Sequence, residues 1–269
     1  MGKNALRILG VVAHPHDFTH FSGTCGVHTS MGDKITIACM TNGTGIHNAQ
    51  LSEEMAKPPE QRDKSIVNQS PEEFAIMKQA ELRQAASIFG VSDIRFAEFP
   101  DAPFILDQHR ESIKFLRDLI LEIRPHIMIT QSPYAVKQSH GQMSVVHDDH
   151  VEVGACSIEA KREAGKPHFG SEDIPHNVAL TLFQLGDIQD VDLMIDVGDW
   201  YEQRVEAEAL YISQGHTLEF ARKRMAIGLG STGWMAGTEY AEQFVIYYIQ
   251  HFFSRLSITK FFTFSKFNS

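Results

Sequence analysis

Short apolar runs rich in β-branched residues alternate along this chain with longer stretches whose apolar positions recur every three or four residues. Leu6 to Ala13, Lys34 to Thr41 (KITIACMT), Ile94 to Phe99 and His126 to Gln131 (HIMITQ) are too short for typical helices and read as buried strands. Between the first two, Thr19 to Met31 is rich in Gly, Ser and Thr, which suits a helix packed closely on a sheet. Ser70-Pro71-Glu72-Glu73 supplies an N-cap, a first-turn proline and an acidic first turn for a helix that runs to about Phe89 and stops at Gly90. His109 to Ile123 is amphipathic through Ile113, Leu116, Leu119, Ile120 and Ile123, and ends before Pro125. This alternation predicts an α/β, Rossmann-like fold: a mostly parallel sheet with helices on both faces.

The second half continues the pattern less regularly. A helix is expected to follow His147-Asp148-Asp149-His150, strands over Val178 to Phe183 and Val191 to Val197, and helices over Asp199 to Gln214, Thr217 to Gly228 and Tyr240 to Ile249. Two segments carry no steady period. Residues Ile46 to Ser70 are polar, contain Pro58-Pro59, and read as a long loop with at most a short helix. Residues Ser132 to Val146 read as a second loop. The tail from about 250 to 269 (HFFSRLSITKFFTFSKFNS from His251) is strongly aromatic and reads as a docked element or a homo-oligomer contact, since exposed alone it would invite aggregation. No repeat and no low-complexity linker divides the chain, so 1–269 is read as a single domain.

Composition narrows the functions open to such a fold. A net charge of -10 disfavours nucleic acid, which calls for a basic surface. Cys25, Cys39 and Cys156 are too few and too widely spaced for a disulfide framework or a zinc knuckle, and read as small core residues. The N-terminal apolar run is broken too soon by His and Pro for a signal peptide, and no run is long enough for a membrane span. A reducing, cytoplasmic setting is the expectation.

Candidate chemistry begins where the first strand ends. In AHPHDF (Ala13 to Phe18) the chain breaks at His14-Pro15, because a residue before proline is pushed out of the helical region. His14, His16 and Asp17 follow past the C-terminal end of a buried strand, where open α/β sheets place ligands. The downstream HDDH adds His147 and His150, three residues apart on one face of a helical turn. A catalytic zinc takes three ligands from His, Asp and Glu and leaves a position for water. His14 and Asp17 supply two, and either His150 or His147 a third, with the spare imidazole facing substrate. With 14 histidines in the chain, His28, His47, His109, His168, His176 and His251 are read as ordinary surface or core residues. Asn42-Gly43-Thr44-Gly45 could cradle a phosphate, but it lacks the GxGxxG and GxxxxGK[ST] spacings of a nucleotide site.

These residues resemble a known family. AHPHDF is similar to the AHPDDE signature of the LmbE-like, or PIG-L, de-N-acetylases, and HDDH to their HxDH signature. The likeness extends to NGTG (42 to 45), KQAELRQAASIFGV (78 to 91), FPDAP (99 to 103), IRPHIMIT (123 to 130), the segment 191 to 214 ending YISQ, and YAEQF (240 to 244). It implies the LmbE-like fold and a Zn2+-dependent hydrolase, other divalent ions also being accommodated, that removes an acetyl group from an N-acetylglucosamine-type conjugate. By position it makes His14, Asp17 and His150 the metal ligands. His147 becomes the group that stabilises the oxyanion or protonates the leaving amine, and Asp149 orients an imidazole.

The departures from the family pattern set the open questions. The family's general base, an aspartate, is here His16, which can serve as a base, become a fourth ligand, or disable turnover. The glutamate that follows it is Phe18, the arginine of RxxE is Lys78, a candidate substrate contact, and the late histidine is Tyr211. Lys78 and Glu81 also fit a plain solvated i,i+3 pair. A non-catalytic relative that binds a sugar or a metal is therefore the alternative to the hydrolase.

Overall fold

The computed structural model describes residues 5–45, 48–101, 109–134, 149–167, 170, 172–184 and 191–249. Its seven strands are β1 (Arg7–Val12), β2 (Lys34–Thr41), β3 (Asp93–Phe99), β4 (Ile127–Gln131), β5 (Leu180–Gln184), β6 (Leu193–Asp196) and β7 (Ala241–Ile249). They form one sheet in the order β3-β2-β1-β4-β5-β7-β6. Neighbours from β3 to β5 are parallel, with Arg7 opposite Lys34 and Ile8 opposite both Ile35 and Ile127. The chain moves outward from β1 to β3 and then returns to β4 on the other side of β1. That reversal opens a crevice at the C-terminal ends of β1 and β4, the usual ligand position in such sheets.

Helices α1 (Ser22–Ser30), α4 (Pro71–Ile88), α7 (Tyr201–Ala209) and α8 (Leu218–Ala236) pack on one face, and α5 (His109–Ile123) and α6 (Asp149–Ala164) on the other. The strand alternation explains the division. Ile8 and Val12 join the core with Phe21, Cys25, Leu82 and Val205, while Leu9 and Val11 join Leu116, Ile120, Val153 and Cys156. Gly10 lies between them because a Cβ there would stand 2.8 Å from the Phe21 ring. The expected cap of α4 is present: Ser70 Oγ accepts from the Glu73 N–H at 3.1 Å, and the Ser70 N–H donates back to the Glu73 carboxylate at 2.9 Å. Gly90 ends it with φ 72°.

Two expectations are corrected. Tyr240 to Ile249 is not a helix: β7 inserts antiparallel between β5 and β6, and its run FVIYYI has the β-branched and aromatic content of a strand. Residues 48–70 are also more ordered than a loop. They hold α2 (Ala49–Ala56), a 3-10 turn (Pro59–Gln61) and α3 (Lys64–Val67), with Asn48 and Asp63 capping the two helices through their side-chain oxygens. α8 runs eight residues past the expected end at Gly228. The tail at 250–269 and most of the loop 132–146 lie outside the described residues. No helix among the described residues is long and apolar enough to cross a membrane.

Candidate metal centre

β1 delivers the chain to His14 at the mouth of the crevice, and Pro15–His20 then turns as a 3-10 helix. Thr41, at the end of β2, fixes the exit by donating its N–H and its hydroxyl to the Ala13 carbonyl, both at 2.9 Å. The turn closes on itself: the Asp17 N–H donates to the His14 carbonyl, and the His14 N–H to Asp17 Oδ2 at 2.9 Å. Gln131, ending β4, donates its amide to the same Oδ2 at 2.9 Å and accepts the Ala13 N–H at 3.0 Å. One polar residue at the end of an apolar strand thus ties the two strands that flank the crevice. The sequence reading missed it, although a glutamine closing HIMITQ beside the first strand was the available signal.

His150, on the first turn of α6, completes a triangle. His14 Nδ1 lies 3.2 Å from His150 Nε2 and 3.4 Å from Asp17 Oδ2, and His150 Nε2 lies 3.2 Å from that oxygen. A divalent ion bound at about 2.0–2.2 Å by N and O ligands sets neighbouring ligand atoms roughly 2.8–3.6 Å apart, shorter when octahedral and longer when tetrahedral. The three edges fit that range. Asp17 is fully buried, and its Oδ1 accepts no hydrogen bond among the described residues. Residues and spacing therefore suit a cation.

The electrostatics agree. Burial alone would raise the Asp17 carboxyl, but the imidazoles of His16, His150 and His14 hold it well below the usual carboxylate range. Burial likewise opposes charge on His14, yet hydrogen bonds to Asp149 and Asp17 carry it up to about 9. Asp149 Oδ2 stands 2.9 Å from His14 Nε2, so the imidazole that Asp149 orients is that of His14.

His16 stacks on His14 with ring centroids 5.8 Å apart, and its Nε2 lies 3.4 Å from Asp17 Oδ1. Burial pushes it down to about 3, against the pull of Asp17. Among the described residues, the groups able to converge on an ion are His14, Asp17 and His150, and His14, Asp101 and Asp149; neither includes His16. His147 lies outside the described residues.

Lys78 and Glu81 are not a solvated pair. Both are buried, Glu81 accepting the Ser213 N–H at 2.8 Å and the Ser213 hydroxyl at 2.6 Å. Burial pulls the Lys78 ammonium down to about 8, against Asp101, Glu81 and Asp17. Lys78 passes beside Gly43, whose φ is 73° and where a Cβ would meet Lys78 Cδ at 3.0 Å and Pro15 Cδ at 3.1 Å. Tyr211, standing for the family histidine, donates its hydroxyl to the Pro15 carbonyl at 3.1 Å. The NGTG turn already holds an anion of the chain itself, since Gly45 N–H donates to both Asp101 oxygens at 3.0 Å.

Three other described histidines are engaged away from the triangle. His28 is buried against Asp33 at 2.8 Å, His176 pairs with the Pro125 carbonyl at 2.7 Å, and His109 Nδ1 lies 3.3 Å from Cys156 Sγ. All three thiols are free and buried. His47, His168 and His251 lie outside the described residues.

Comparison with known proteins gives three findings. A profile of the family described as PIG-L, GlcNAc-PI de-N-acetylase, matches residues 9–161. A Bacillus anthracis protein described as a probable N-acetyl-alpha-D-glucosaminyl L-malate deacetylase 2 is 25% identical over 226 residues, covering 82% of this chain and 84% of its own. Among solved structures, the N,N'-diacetylchitobiose deacetylase of Pyrococcus horikoshii superposes with a TM-score of 0.73 at 22% identity, over 93% of this chain and 88% of its own. The 4-carboxy-2-hydroxymuconate hydratase of Pseudomonas putida KT2440 superposes at 0.70 and 16% identity, over 93% and 99%. The two superpositions establish a shared fold that carries more than one chemistry.

Proposed function

The chain belongs to the PIG-L family, described as GlcNAc-PI de-N-acetylases, and from that premise we propose that it is a metal-dependent amide hydrolase removing the acetyl group from an N-acetylglucosamine conjugate. The observation that carries the reading is the triangle of His14 Nδ1, Asp17 Oδ2 and His150 Nε2 with edges of 3.2–3.4 Å. In this reading those three residues would hold a divalent ion, zinc by preference, whose chemistry there would be to polarise the acetyl carbonyl and acidify a water. Asp149 fixes the His14 ring through Nε2, leaving Nδ1 facing Asp17 and His150. Gln131 keeps the Asp17 carboxylate turned the same way.

His16 is neutral at neutral pH because it is buried, and so can accept a proton at a ring nitrogen as the attacking water adds. His147 is assigned to the oxyanion and to the departing amine. Lys78, beside Asp101 and Pro15, is assigned to the sugar, with a single-point charge in place of a bidentate guanidinium.

A second reading has a specific observation in its favour. An imidazole depressed to about 3 is a weak base, which suits a relative that binds ligand without turnover. The two separate in one experiment: metal per chain and acetate released from a panel of N-acetylglucosaminyl conjugates, for the wild type and His150→Ala. The hydrolase reading expects about one ion per chain and acetate release, both lost in the variant. An ion bound with no acetate from any conjugate supports the binding protein. No ion after reconstitution overturns the metal centre itself.

A further inference from the structure

α8 has two apolar faces. Ala221, Met225, Leu229 and Thr232 are buried against the body of the protein. Phe220, Ile227 and Trp234 recur at intervals of seven and are 44%, 63% and 87% exposed. At 100° per residue they fall within about 40° of one another and roughly 155° from the buried set. A helix that is apolar on both sides is ordinarily covered on both.

We propose that this face is a self-association surface, on which α8 of a second copy packs antiparallel about a two-fold axis at Ile227. The spacing is what selects a second copy. Phe220 and Trp234 are equidistant from Ile227, so a two-fold axis there sets Ile227 on Ile227 and Phe220 of each helix on Trp234 of the other, an isologous contact. The charges agree with this pairing. Residues three and four before Ile227 are Arg224 and Lys223; those three and four after it are Gly230 and Ser231. In the antiparallel pair each long cation lies across a small neutral residue, and no like charges oppose. A parallel pair would set Lys223 against Lys223, whereas Arg224 is already paired with Glu208 at 2.7 Å. The helix offers less than the roughly 800 Å² per partner of a standard stable interface, so the association is at the weak, reversible end.

Sedimentation of the full-length protein over a wide concentration range, with Trp234→Glu alongside, tests this. A reversible dimer is expected, and Trp234→Glu should raise its dissociation constant at least about 30-fold, the size of a hot-spot loss. Ile227→Cys should form a symmetric interchain disulfide under oxidation, since the three native thiols are buried. Phe220→Cys alone should not, because antiparallel packing sets its two copies about 21 Å apart along the axis, at 1.5 Å per residue. A monomer at every concentration overturns the proposal, as does a dimer indifferent to Trp234→Glu, or equal crosslinking at 220 and 227. A monomer whose Trp234 emission is shielded at all concentrations overturns it in favour of a cover from within the chain. A monomer that sediments with phosphatidylserine-containing vesicles overturns it in favour of a membrane surface. None of these readouts depends on the metal centre.

Discussion

Two carboxylates are buried within a few residues of the same turn, and they do opposite things. Asp17 lies in the 3-10 turn after β1, and Glu242, from β7, reaches the start of α1 just beyond that turn. Both are essentially inaccessible, and both accept backbone N–H groups. Glu242 is saturated: Oε1 accepts the Gly23 N–H at 2.9 Å, Oε2 accepts the Thr24 N–H at 2.8 Å and its hydroxyl at 2.6 Å, and Arg204 closes an ion pair at 3.1 Å. Asp17 has hydrogen bonds to Oδ2 alone, and three imidazoles converge on it. Burial by itself does not mark a functional carboxylate. What separates the two is ligating capacity left over once the chain's own donors have been served.

Exchanging the losses at the two positions should show the largest effect. Asp17→Asn is expected to reduce bound metal and acetate release to background with a modest change in stability, because the amide can still accept the His14 N–H. Glu242→Ala is expected to leave metal per folded chain unchanged but to cost about 3–5 kcal/mol in denaturant unfolding, the usual loss when a buried pair is broken on one side. Metal loss in the glutamate variant, or an aspartate variant that still binds and turns over, would erase the distinction.

Asp149 sharpens the same contrast from the other side. It is buried and touches His14 Nε2, so it acts through the imidazole and does not need to meet the ion. Asp149→Asn should weaken metal binding by about 10–100-fold, the range for outer partners of a ligating histidine, while saturating metal restores most turnover. His14→Ala should not be rescued this way. If the two variants behave alike in a metal titration, Asp149 is a ligand, as in the alternative grouping with His14 and Asp101.

How far sequence carried this picture follows from the same division between local and distant contacts. Strands β1 to β4 and helices α4 and α5 are written in local patterns and caps, and they appear where those patterns put them. His14 and Asp17 belong to one turn, so their meeting was readable from spacing, whereas His150 is 136 residues from His14, and the residues alone left His147 as an equal third ligand until the resemblance chose between them. β7 was misread because its FVIYYI run is continuously apolar, so it lacks the period-two signal of a half-buried strand and cannot be told from a helix by periodicity. Glu242 was marked only by the resemblance of YAEQF, and no local pattern named its partners, since Gly23 and Thr24 lie 219 and 218 residues away. Lys78 and Glu81 looked like a surface pair because i,i+3 charges on a helix usually are; Ser213 and the NGTG turn bury them from elsewhere in the chain.

The smallest expected effect is the most diagnostic, because the two carboxylates should titrate with opposite sign. The folded pKa of Asp17 is depressed, so its contribution to stability is complete above the unfolded value and is lost as pH falls through the folded one. The folded pKa of Glu242 is raised, chiefly by burial, with Arg204 and the α1 donors opposing. The native state therefore takes up that proton before the unfolded chain does, and stability from this group rises as pH falls through the raised value towards 4.5. Glu242→Gln removes the titration while keeping an acceptor for the α1 N–H groups. In chemical unfolding of metal-free protein, the wild type should gain ground on Glu242→Gln as the solution is acidified from pH 7 to 4.5, and should lose ground on Asp17→Asn only as the pH is taken below 3.8. Equal slopes for all three proteins would mean that neither carboxylate is held as its surroundings imply, and the contrast between strut and ligand would rest on geometry alone.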